Sequence, residues 1–229
     1  METRINKYLT EAGYCSRRKA ERLVLEGRVL INGQTAVIGQ KVGLSDTVFV
    51  DGKEIKKLST HIYLAYHKPI GVICTTDQTI KGNIVDAINY PKRLFHVGRL
   101  DKDSSGLILM TNDGSIVNEI LRQENNHEKE YIVRVDKPIT PSFLKNMQNG
   151  VEILGRVTKP AMAVQKSENT FHLTITEGLN RQIRRMCKAL NYKVIALQRI
   201  RIMHIHLDVP VNKYRHLTPL ELDVFKNNQ

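Results

Sequence analysis

The chain has few of the features that mark secreted, membrane-spanning or metal-binding proteins. Its three cysteines, Cys15, Cys74 and Cys187, are odd in number and have no zinc-site spacing. No apolar run approaches the ~20 residues that cross a bilayer, and the first residues lack the apolar core of a signal peptide. A phosphate-binding glycine loop, an internal repeat and a low-complexity tract are also missing. We therefore expect a cytoplasmic protein with reduced thiols that does not bind membranes.

Positive charge is what the composition does supply. The 229 residues carry a formal net charge of +12 and a pI near 9.7. A basic surface attracts phosphate backbones because binding releases their counterions, so a polyanionic partner is expected. The hydrophobic share of 41% is that of an ordinary globular protein, and the length fits one large domain or two modest ones.

Residues 1–57 predict a small basic module. Two short helices are expected, from Arg4 to Ala12 and from Arg17 to Glu26, with Ser16 capping the second. Asn32-Gly33 and Asp51-Gly52 predict tight hairpins. Cations crowd the first turns of the second helix, where the helix dipole favours acids. This placement indicates an external anion, with a solvated charged face as the alternative. The cations are Arg17, Arg18, Lys19 and Arg22.

A polar linker at 58–61 leads into a larger domain over 62–229. Many short strands with a few helices between them predict a mixed, mainly antiparallel α+β architecture. Near its end, 194–197 and 200–207 are predicted as two strands, and the second would carry His204 and His206 on one face. No third metal ligand lies near them, so we expect no metal site there.

A polar loop in this domain precedes a buried strand from Leu107 to Met110. The loop contains Gly98-Arg99-Leu100-Asp101, followed by Ser105-Gly106. Loops held by a rigid scaffold are where chemistry usually lies. The alternative from composition alone is a surface turn stabilised by its aspartate.

A second basic cluster follows at 181–188. One helical face is apolar and the other carries only cations, which repel each other at this spacing. They therefore need an anion, either a carboxylate of this chain or RNA. The cations are Arg181, Arg184, Arg185 and Lys188.

Three strings of the larger domain together resemble the signature of the pseudouridine synthases that act on ribosomal RNA. They are G-R-L-D…S-G-L…T-N-D-G at 98–114, K-E-Y at 129–131 and G-L-N-R-Q-I-R-R-M at 178–186. The two helices and R-V-L-I-N-G at 28–33 resemble the S4 RNA-binding domain. From end to end, the chain is similar to bacterial rRNA pseudouridine synthases with an N-terminal S4 domain.

The resemblance implies isomerisation of a uridine in 23S large-subunit rRNA by a cofactor-independent monomer, and it leaves a tRNA open as a second target. It makes Asp101 the essential residue, pairs Arg184 with Asp101 and lays Tyr131 against the target base. Whether Asp101 attacks the sugar or removes a sugar proton stays open. A uridine in folded RNA must be flipped out before it can react.

Further residues take substrate roles by the same resemblance. Arg99 would fill the space left by the flipped base or hold that base, and Ile183 would wall the base pocket. Lys68 belongs to the family's first motif, in which His67 stands here where Asn is usual. The cations implied to grip RNA phosphates are Arg4, Arg17, Arg18, Lys19, Arg22, Arg181, Arg185 and Lys188.

Two other functions fit parts of the pattern. One is a non-catalytic S4-type RNA-binding or ribosome assembly factor. The other is a carboxylate-dependent hydrolase acting on RNA or nucleosides, which would need two carboxylates beside the bond. Asp103 is the near candidate for the second carboxylate.

Overall fold

The computed structural model describes residues 2–57, 60–121 and 126–226. These residues form two units. The first comprises Met1–Ile62 with the short segments Tyr90–Leu94 and Asn112–Gly114, and the second comprises the remainder. Of the predicted linker, Leu58 and Ser59 lie outside the described residues. The boundary proposed at 57/62 stays a prediction.

The first unit contains two helices, α1 (Ile5–Glu11) and α2 (Arg17–Leu25). The Ser16 hydroxyl caps α2, as predicted, by accepting a hydrogen bond from the backbone N–H of Lys19 at 3.3 Å. The strands of this unit are β1 (Thr3–Arg4), β2 (Val29–Ile31), β3 (Gln34–Thr35), β4 (Lys41–Val42), β5 (Val48–Val50) and β6 (Lys53–Glu54).

Those strands form a four-stranded antiparallel sheet in the order β3-β2-β5-β6 and a separate pair, β1 with β4. The two hairpin predictions are confirmed. Asn32 and Gly33 have φ values of 50° and 81°, and Asp51 and Gly52 have 50° and 77°, which suits type I′ turns. Apolar side chains of both helices and of β2 and β5 pack into one core cluster.

The second unit is built on a nine-stranded sheet. Its helices are α3 (Ile84–Ile88), α4 (Ser115–Leu121), α5 (Pro141–Asn149), α6 (Gln182–Ala189) and α7 (Pro219–Lys226). Its sheet strands are β7 (Tyr63–Lys68), β8 (Phe95–Val97), β9 (Ser105–Thr111), β10 (Lys129–Val135), β13 (Met162–Ser167), β14 (Thr170–Ile175), β15 (Val194–Ile202), β16 (Ile205–His206) and β17 (Tyr214–His216). A separate short hairpin consists of β11 (Glu152–Ile153) and β12 (Arg156–Val157).

The main path of the sheet runs β13-β14-β10-β15-β9-β7-β17, with β16 on β15 and β8 on β9. The pairing of β9 with β15 is parallel, whereas the other ladders of the described sheet are antiparallel. The expected mixed, mainly antiparallel α+β class is confirmed. At the parallel pairing, Gly106 lies opposite Arg199, and a Cβ on Gly106 would overlap the Arg199 carbonyl. The glycine is therefore required by this close approach of two strands.

The prediction of two strands at 194–197 and 200–207 is wrong about where the first strand ends. Residues 194–202 form one continuous strand, β15, and His204 lies in the turn that follows it rather than on a strand face with His206. The His204 Nε2 donates to the carbonyl oxygen of Glu221 at 2.8 Å. Among the described residues, no helix is both long and apolar enough to cross a membrane.

Candidate active site

A pocket of about 730 Å³ opens in the second unit. Its walls come from the loop after β8, from β10 and β15, and from the start of α6. Five residues predicted to act on the substrate line this pocket together. They are Arg99, Asp101, Tyr131, Ile183 and Arg184.

The loop between β8 and β9 is fixed by its own backbone and by one buried side chain. Leu100 is buried, and its N–H donates to the Cys74 Sγ at 3.4 Å. The Ser104 N–H donates to the carbonyl oxygen of Asp101 at 3.1 Å, which closes a tight turn. Burial of Leu100 anchors the loop, while the Asp101 side chain stays 30% exposed at the pocket wall.

Two arginines from the start of α6 face the carboxylates of this loop. Arg181 Nη1 lies 3.5 Å from Asp101 Oδ2, and Arg184 Nε lies 3.9 Å from the same oxygen. Arg181 also donates through both terminal nitrogens to Asp103, at 3.1 Å each. Arg181 was predicted as an RNA-phosphate cation, yet it is the nearer of the two guanidinium groups to Asp101.

Arg184 holds the backbone of the loop as well as facing its carboxylate. Its Nη2 donates to the Asp103 carbonyl oxygen at 2.8 Å and to Ser104 Oγ at 3.2 Å. Its side chain is only 14% exposed. The buried Nε makes no hydrogen bond within the described part of the chain. Arg184 therefore fixes the loop and directs its free Nε to Asp101.

The two aspartates of the loop differ in how strongly the arginines bind them. Asp103 accepts two hydrogen bonds from Arg181, whereas Asp101 lies 3.5 Å or more from the nearest guanidinium nitrogens. The Arg181 hydrogen bonds lower the pKa of Asp103 below its ordinary value. A carboxylate held ionised in this way is a poor general acid, the role that a two-carboxylate hydrolase needs. Of the two aspartates of the loop, Asp101 is the one that lines the pocket.

The opposite side of the pocket is formed by the sheet. Tyr131 on β10 is buried and pairs with Leu173 on β14 and Arg199 on β15. Lys129, two residues earlier, lies on the same face of β10. Its Nζ donates to the carbonyl oxygen of His127 at 3.0 Å. Burial, with a smaller contribution from the Arg199 charge, lowers the pKa of Lys129 to about 8.

Arg199 is a pocket residue that sequence reasoning missed. It is 3% exposed, and its Nε donates to the carbonyl oxygen of Leu107 at 2.8 Å. Its buried Nη2 makes no hydrogen bond among the described residues. A signal was present, since Arg199 follows Leu197 at strand spacing and an arginine on a buried strand face is rare. Lys129 belongs to the K-E-Y string, but the string predicted no role for it.

The predicted substrate contact of Lys68 needs correction. Lys68 is fully buried and does not line the pocket. Its Nζ donates to the carbonyl oxygens of Pro69 at 2.9 Å and Val72 at 2.8 Å, and burial lowers the pKa of Lys68. Because its donors point into the turn at 69–72, Lys68 serves to fix that turn.

His67, which stands where the family usually has Asn, links β7 to β15 and to the loop that contains Val209. One neutral tautomer satisfies both of its contacts: Nδ1 donates to the Val209 carbonyl oxygen at 2.9 Å, and Nε2 accepts from Gln198 Nε2 at 3.2 Å. His67 is buried and lies outside the pocket wall. Its contacts position strands rather than substrate.

A buried polar network that was not predicted from the sequence fixes the start of α6. Arg181 adopts a left-handed conformation, with φ of 51°, which is unusual for a residue other than glycine. The Gln182 amide donates to Glu177 at 2.8 Å and accepts from the Leu179 N–H at 3.0 Å. Arg156 donates to the same Glu177 carboxylate at 3.1 Å. The network supports the strained turn that presents Arg181 and Arg184.

The other predicted RNA-binding cations are exposed and are not among the residues that line the pocket. Arg185 donates to the Asn180 carbonyl oxygen at 3.0 Å, and Arg22 lies 3.6 Å from Glu26. The remaining ones make no ion pair within the described residues. They are Arg4, Arg17, Arg18, Lys19 and Lys188.

Family comparison decides between the functions that this geometry allows. Residues 62–189 match the family model described as RNA pseudouridylate synthase, and residues 3–48 match the S4 domain. The chain belongs to the RNA pseudouridylate synthase family. It is 49% identical to the dual-specificity RNA pseudouridine synthase RluF of Salmonella typhi, over 98% of this chain and 79% of that relative.

Two further pseudouridine synthases match over nearly their whole lengths. The ribosomal large subunit pseudouridine synthase B of Bacillus subtilis is 36% identical, over 96% of this chain and 93% of that relative. A crystal structure of a pseudouridylate synthase superposes with a TM-score of 0.72 at 28% identity, covering 97% of this chain and 99% of that one.

These findings confirm the expected family and the expected enzyme class. The protein is an RNA pseudouridine synthase with an S4 domain, and RNA is its substrate. The non-catalytic assembly factor is thereby set aside. The pocket lies within the part of the chain that contains the synthase match, 62–189, and extends into β15.

Proposed function

We propose that this synthase converts a specific uridine of large-subunit rRNA to pseudouridine, with Asp101 as the essential residue and without a cofactor. One observation carries the proposal. Asp101 lies at the wall of a pocket of about 730 Å³, with the guanidinium groups of Arg181 and Arg184 at 3.5 and 3.9 Å from its Oδ2. Asp103, the neighbouring carboxylate, is occupied by Arg181.

The target uridine must leave its RNA stack to reach Asp101, at a cost of a few kcal/mol. Arg99 supports this step because it is exposed at the pocket rim and makes no hydrogen bond or ion pair among the described residues. Its guanidinium is free to fill the vacated space or to hold the flipped base. Tyr131 and Ile183 supply buried flat and apolar surface for that base.

The chemistry conserves every atom. Asp101 either attacks C1′ of the sugar or removes the proton from C2′, and either route breaks the bond between C1′ and N1. The base turns and C5 joins C1′; this displaces the Asp101 carboxylate from C1′ in the first route, whereas in the second route C2′ regains the proton that Asp101 removed. C5 then loses its proton and N1 gains one. The product has the mass of the substrate, so no redox or group-transfer cofactor is required.

Binding of the remaining RNA is proposed for the exposed cations. Those of α2 lie on a helix whose start carries no acidic residue to neutralise them. Contacts of this type position the protein on the backbone without reading sequence. We propose that Arg185 and Lys188 extend the binding surface, and that Arg181 adds to it beyond its bond to Asp103. We propose that the protein acts as a monomer in the cytoplasm, where its three buried free cysteines would stay reduced.

The test is pseudouridine mapping by carbodiimide labelling and primer extension. Ribosomal RNA, assembling large subunits and tRNA are each incubated with the wild-type protein or with Asp101→Asn. We expect a new stop in rRNA or in assembling subunits with the wild type and none with Asp101→Asn. Release of free uracil, or no stop on any ribosomal substrate, would overturn the proposal. A stop on tRNA in addition would identify the second target.

A further inference from the structure

Two cations at the sheet side of the pocket have no carboxylate to neutralise them. Lys129 and Arg199 both line the pocket and make no ion pair among the described residues. Each has one hydrogen-bonded protein partner, a backbone carbonyl oxygen. The Nη2 of Arg199 is buried without a hydrogen bond within the described ranges. A buried donor left unsatisfied is costly, so a ligand is expected to supply the acceptor.

On the opposite wall of the same pocket, the positive charges are neutralised by carboxylates of the protein. There, Arg181 and Arg184 lie within 4 Å of the carboxylates of Asp101 and Asp103. The charge on that wall is matched before any substrate enters. On the sheet side, the matching negative charge has to come from the substrate.

The strand register places both cations next to Tyr131 in the sheet. Lys129 and Tyr131 lie on the same face of β10, and Arg199 on β15 lies directly opposite Tyr131. Gly106 makes room for this placement, because any side chain there would meet the Arg199 backbone. The cationic groups therefore lie beside the surface on which we propose that the target base rests.

We propose that Lys129 and Arg199 bind the carbonyl oxygens of the target uracil and stabilise the base anion that forms when its bond to the sugar breaks. The inference rests on the proposed function, since it needs Asp101 to break that bond. It deepens the function by assigning the groups that hold the leaving base.

The charge balance of the reaction supports this role. When C1′ and N1 separate, both bonding electrons stay on the base, and the resulting uracil anion spreads its charge over N1 and the two carbonyl oxygens. The anion forms whether Asp101 attacks C1′ or removes the C2′ proton. Donors already in place where charge develops stabilise a transition state strongly. When C5 joins C1′, the electron pair of the anion forms the new bond; the C5 proton then leaves and N1 is protonated, so the base of the product is neutral.

An RNA phosphate is the other anion that two cations would accept. The site favours a base, because Arg199 is 3% exposed and its neighbours Tyr131, Ile183 and Leu197 are buried. A phosphate bound there would contribute affinity without selectivity for the reaction step. Binding and chemistry therefore have to be measured separately.

The central variant is Lys129→Met, which keeps the aliphatic stem and removes the charge. The rate of pseudouridine formation is measured with saturating enzyme in a single turnover, and the Kd is measured for the same RNA. We expect the rate to fall about 100-fold, as for loss of one charge-stabilising donor, and the Kd to change less than about twofold. Lys145→Met, which removes an exposed lysine of α5, serves as the matched control and should change neither.

Conservative variants separate charge from packing. Lys129→Arg keeps a cation and should recover most of the rate, whereas a purely structural role would not be rescued by the larger side chain. Arg199→Lys loses the free Nη2 and should lower the rate while thermal unfolding verifies the fold.

The pH dependence of kcat/KM adds a readout that packing does not move. Since the ammonium form of Lys129 is the one that donates, and its pKa is lowered to about 8, activity should fall as the pH rises above 8. In Lys129→Arg this decline should disappear. Burial keeps the pKa of His96 below 6.5 and that of Cys74 above 9.0, so neither titrates near 8. The other charged or titratable groups facing the pocket are Arg99, Asp101, Lys102, Tyr131, Glu177, Arg181, Arg184 and Arg199.

Each outcome bears on a different claim. A wild-type rate in Lys129→Met, or a loss confined to Kd, would overturn the inference and leave the proposed function intact; the second result would identify a phosphate site. Failure of the wild type to form pseudouridine would overturn the proposed function and the inference with it.

Discussion

The cations of α2 in the first unit and the cations around the pocket of the second unit are the same residue types in opposite surroundings. On α2, Arg17, Arg18 and Lys19 are exposed and make no ion pair among the described residues. Around the pocket, Arg184 is 14% exposed and Arg199 is 3% exposed. In water a cation acts on a distant polyanion through counterion release. In a buried pocket wall a cation interacts mainly with the charged atom next to it, because the low dielectric strengthens this short-range attraction.

Because their surroundings differ, we expect these two groups of cations to have different functions and to affect different measured quantities. Exposed cations should control RNA affinity and its salt dependence. Buried cations should control the rate of the chemical step and its pH dependence. A variant that changes both quantities together would break this division.

Among the variants of the cations and their surroundings, the largest effect is expected for Arg184→Met. Loss of this guanidinium removes the bonds to the Asp103 carbonyl and Ser104 and leaves Asp101 without its buried partner. The single-turnover rate should fall about 100- to 1000-fold, with a Kd within about twofold of wild type. Arg134→Met, which removes an exposed arginine of β10, is the control. A tenfold weaker Kd with a normal rate would move Arg184 to the group of RNA-binding cations.

The packing that holds Arg199 can be tested by Gly106→Ala. The added Cβ would overlap the Arg199 backbone at a φ of 115°, so the free energy of unfolding should fall by about 2–4 kcal/mol. Gly155→Ala is the matched control, because Gly155 also has positive φ, 73°, but has nothing within 4 Å of the new Cβ. That variant should lose only about 1 kcal/mol. Equal losses in urea denaturation would mean that the close approach of β9 and β15 is not the cause.

The proposed role of the exposed α2 cations in RNA binding is tested by the double variant Arg17→Gln and Arg18→Gln. RNA affinity should weaken about tenfold, and the slope of log K against log salt should decrease by about one for each phosphate that is no longer neutralised. The rate with saturating enzyme should stay at the wild-type value. Unchanged affinity in filter binding at several salt concentrations would remove α2 from the RNA-binding surface.

The smallest effect is expected for Asp103→Asn. Its carboxylate is 48% exposed and holds Arg181 from one side, and exposed ion pairs contribute about 1 kcal/mol or less. The single-turnover rate should fall about threefold, within what that energy allows. A loss beyond about 100-fold would place Asp103 beside Asp101 in the chemistry and revive the two-carboxylate mechanism.

Local sequence signals predicted most of the fold because they act over a few residues. Ser16 before α2 and the paired residues at 32–33 and 51–52 each specify a cap or turn locally. The continuous strand β15 was divided in the prediction because its ladder with β10 and β9 depends on distant partners. Strand length is set by such tertiary pairing more than by propensity.

The site was predictable to the extent that its strings resemble a family signature. Asp101, Tyr131 and Arg184 were predicted in this way, and the structure brings them to one pocket. Which pocket cations are paired with carboxylates could not be predicted. This pairing depends on residues about 80 positions apart in the chain that come into contact, such as Arg181 and Asp103. Lys68 was misassigned because a motif does not tell whether a lysine faces the substrate or its own turn.

The most direct test of the account measures Kd and single-turnover rate on one rRNA substrate for Asp101→Asn and for the Arg17→Gln/Arg18→Gln double variant. We expect Asp101→Asn to bind within about twofold of wild type and to form pseudouridine at least about 1000-fold more slowly. We expect the double variant to bind about tenfold more weakly and to react at the wild-type rate. Contradiction would be pseudouridine formation by Asp101→Asn at more than about a tenth of the wild-type rate.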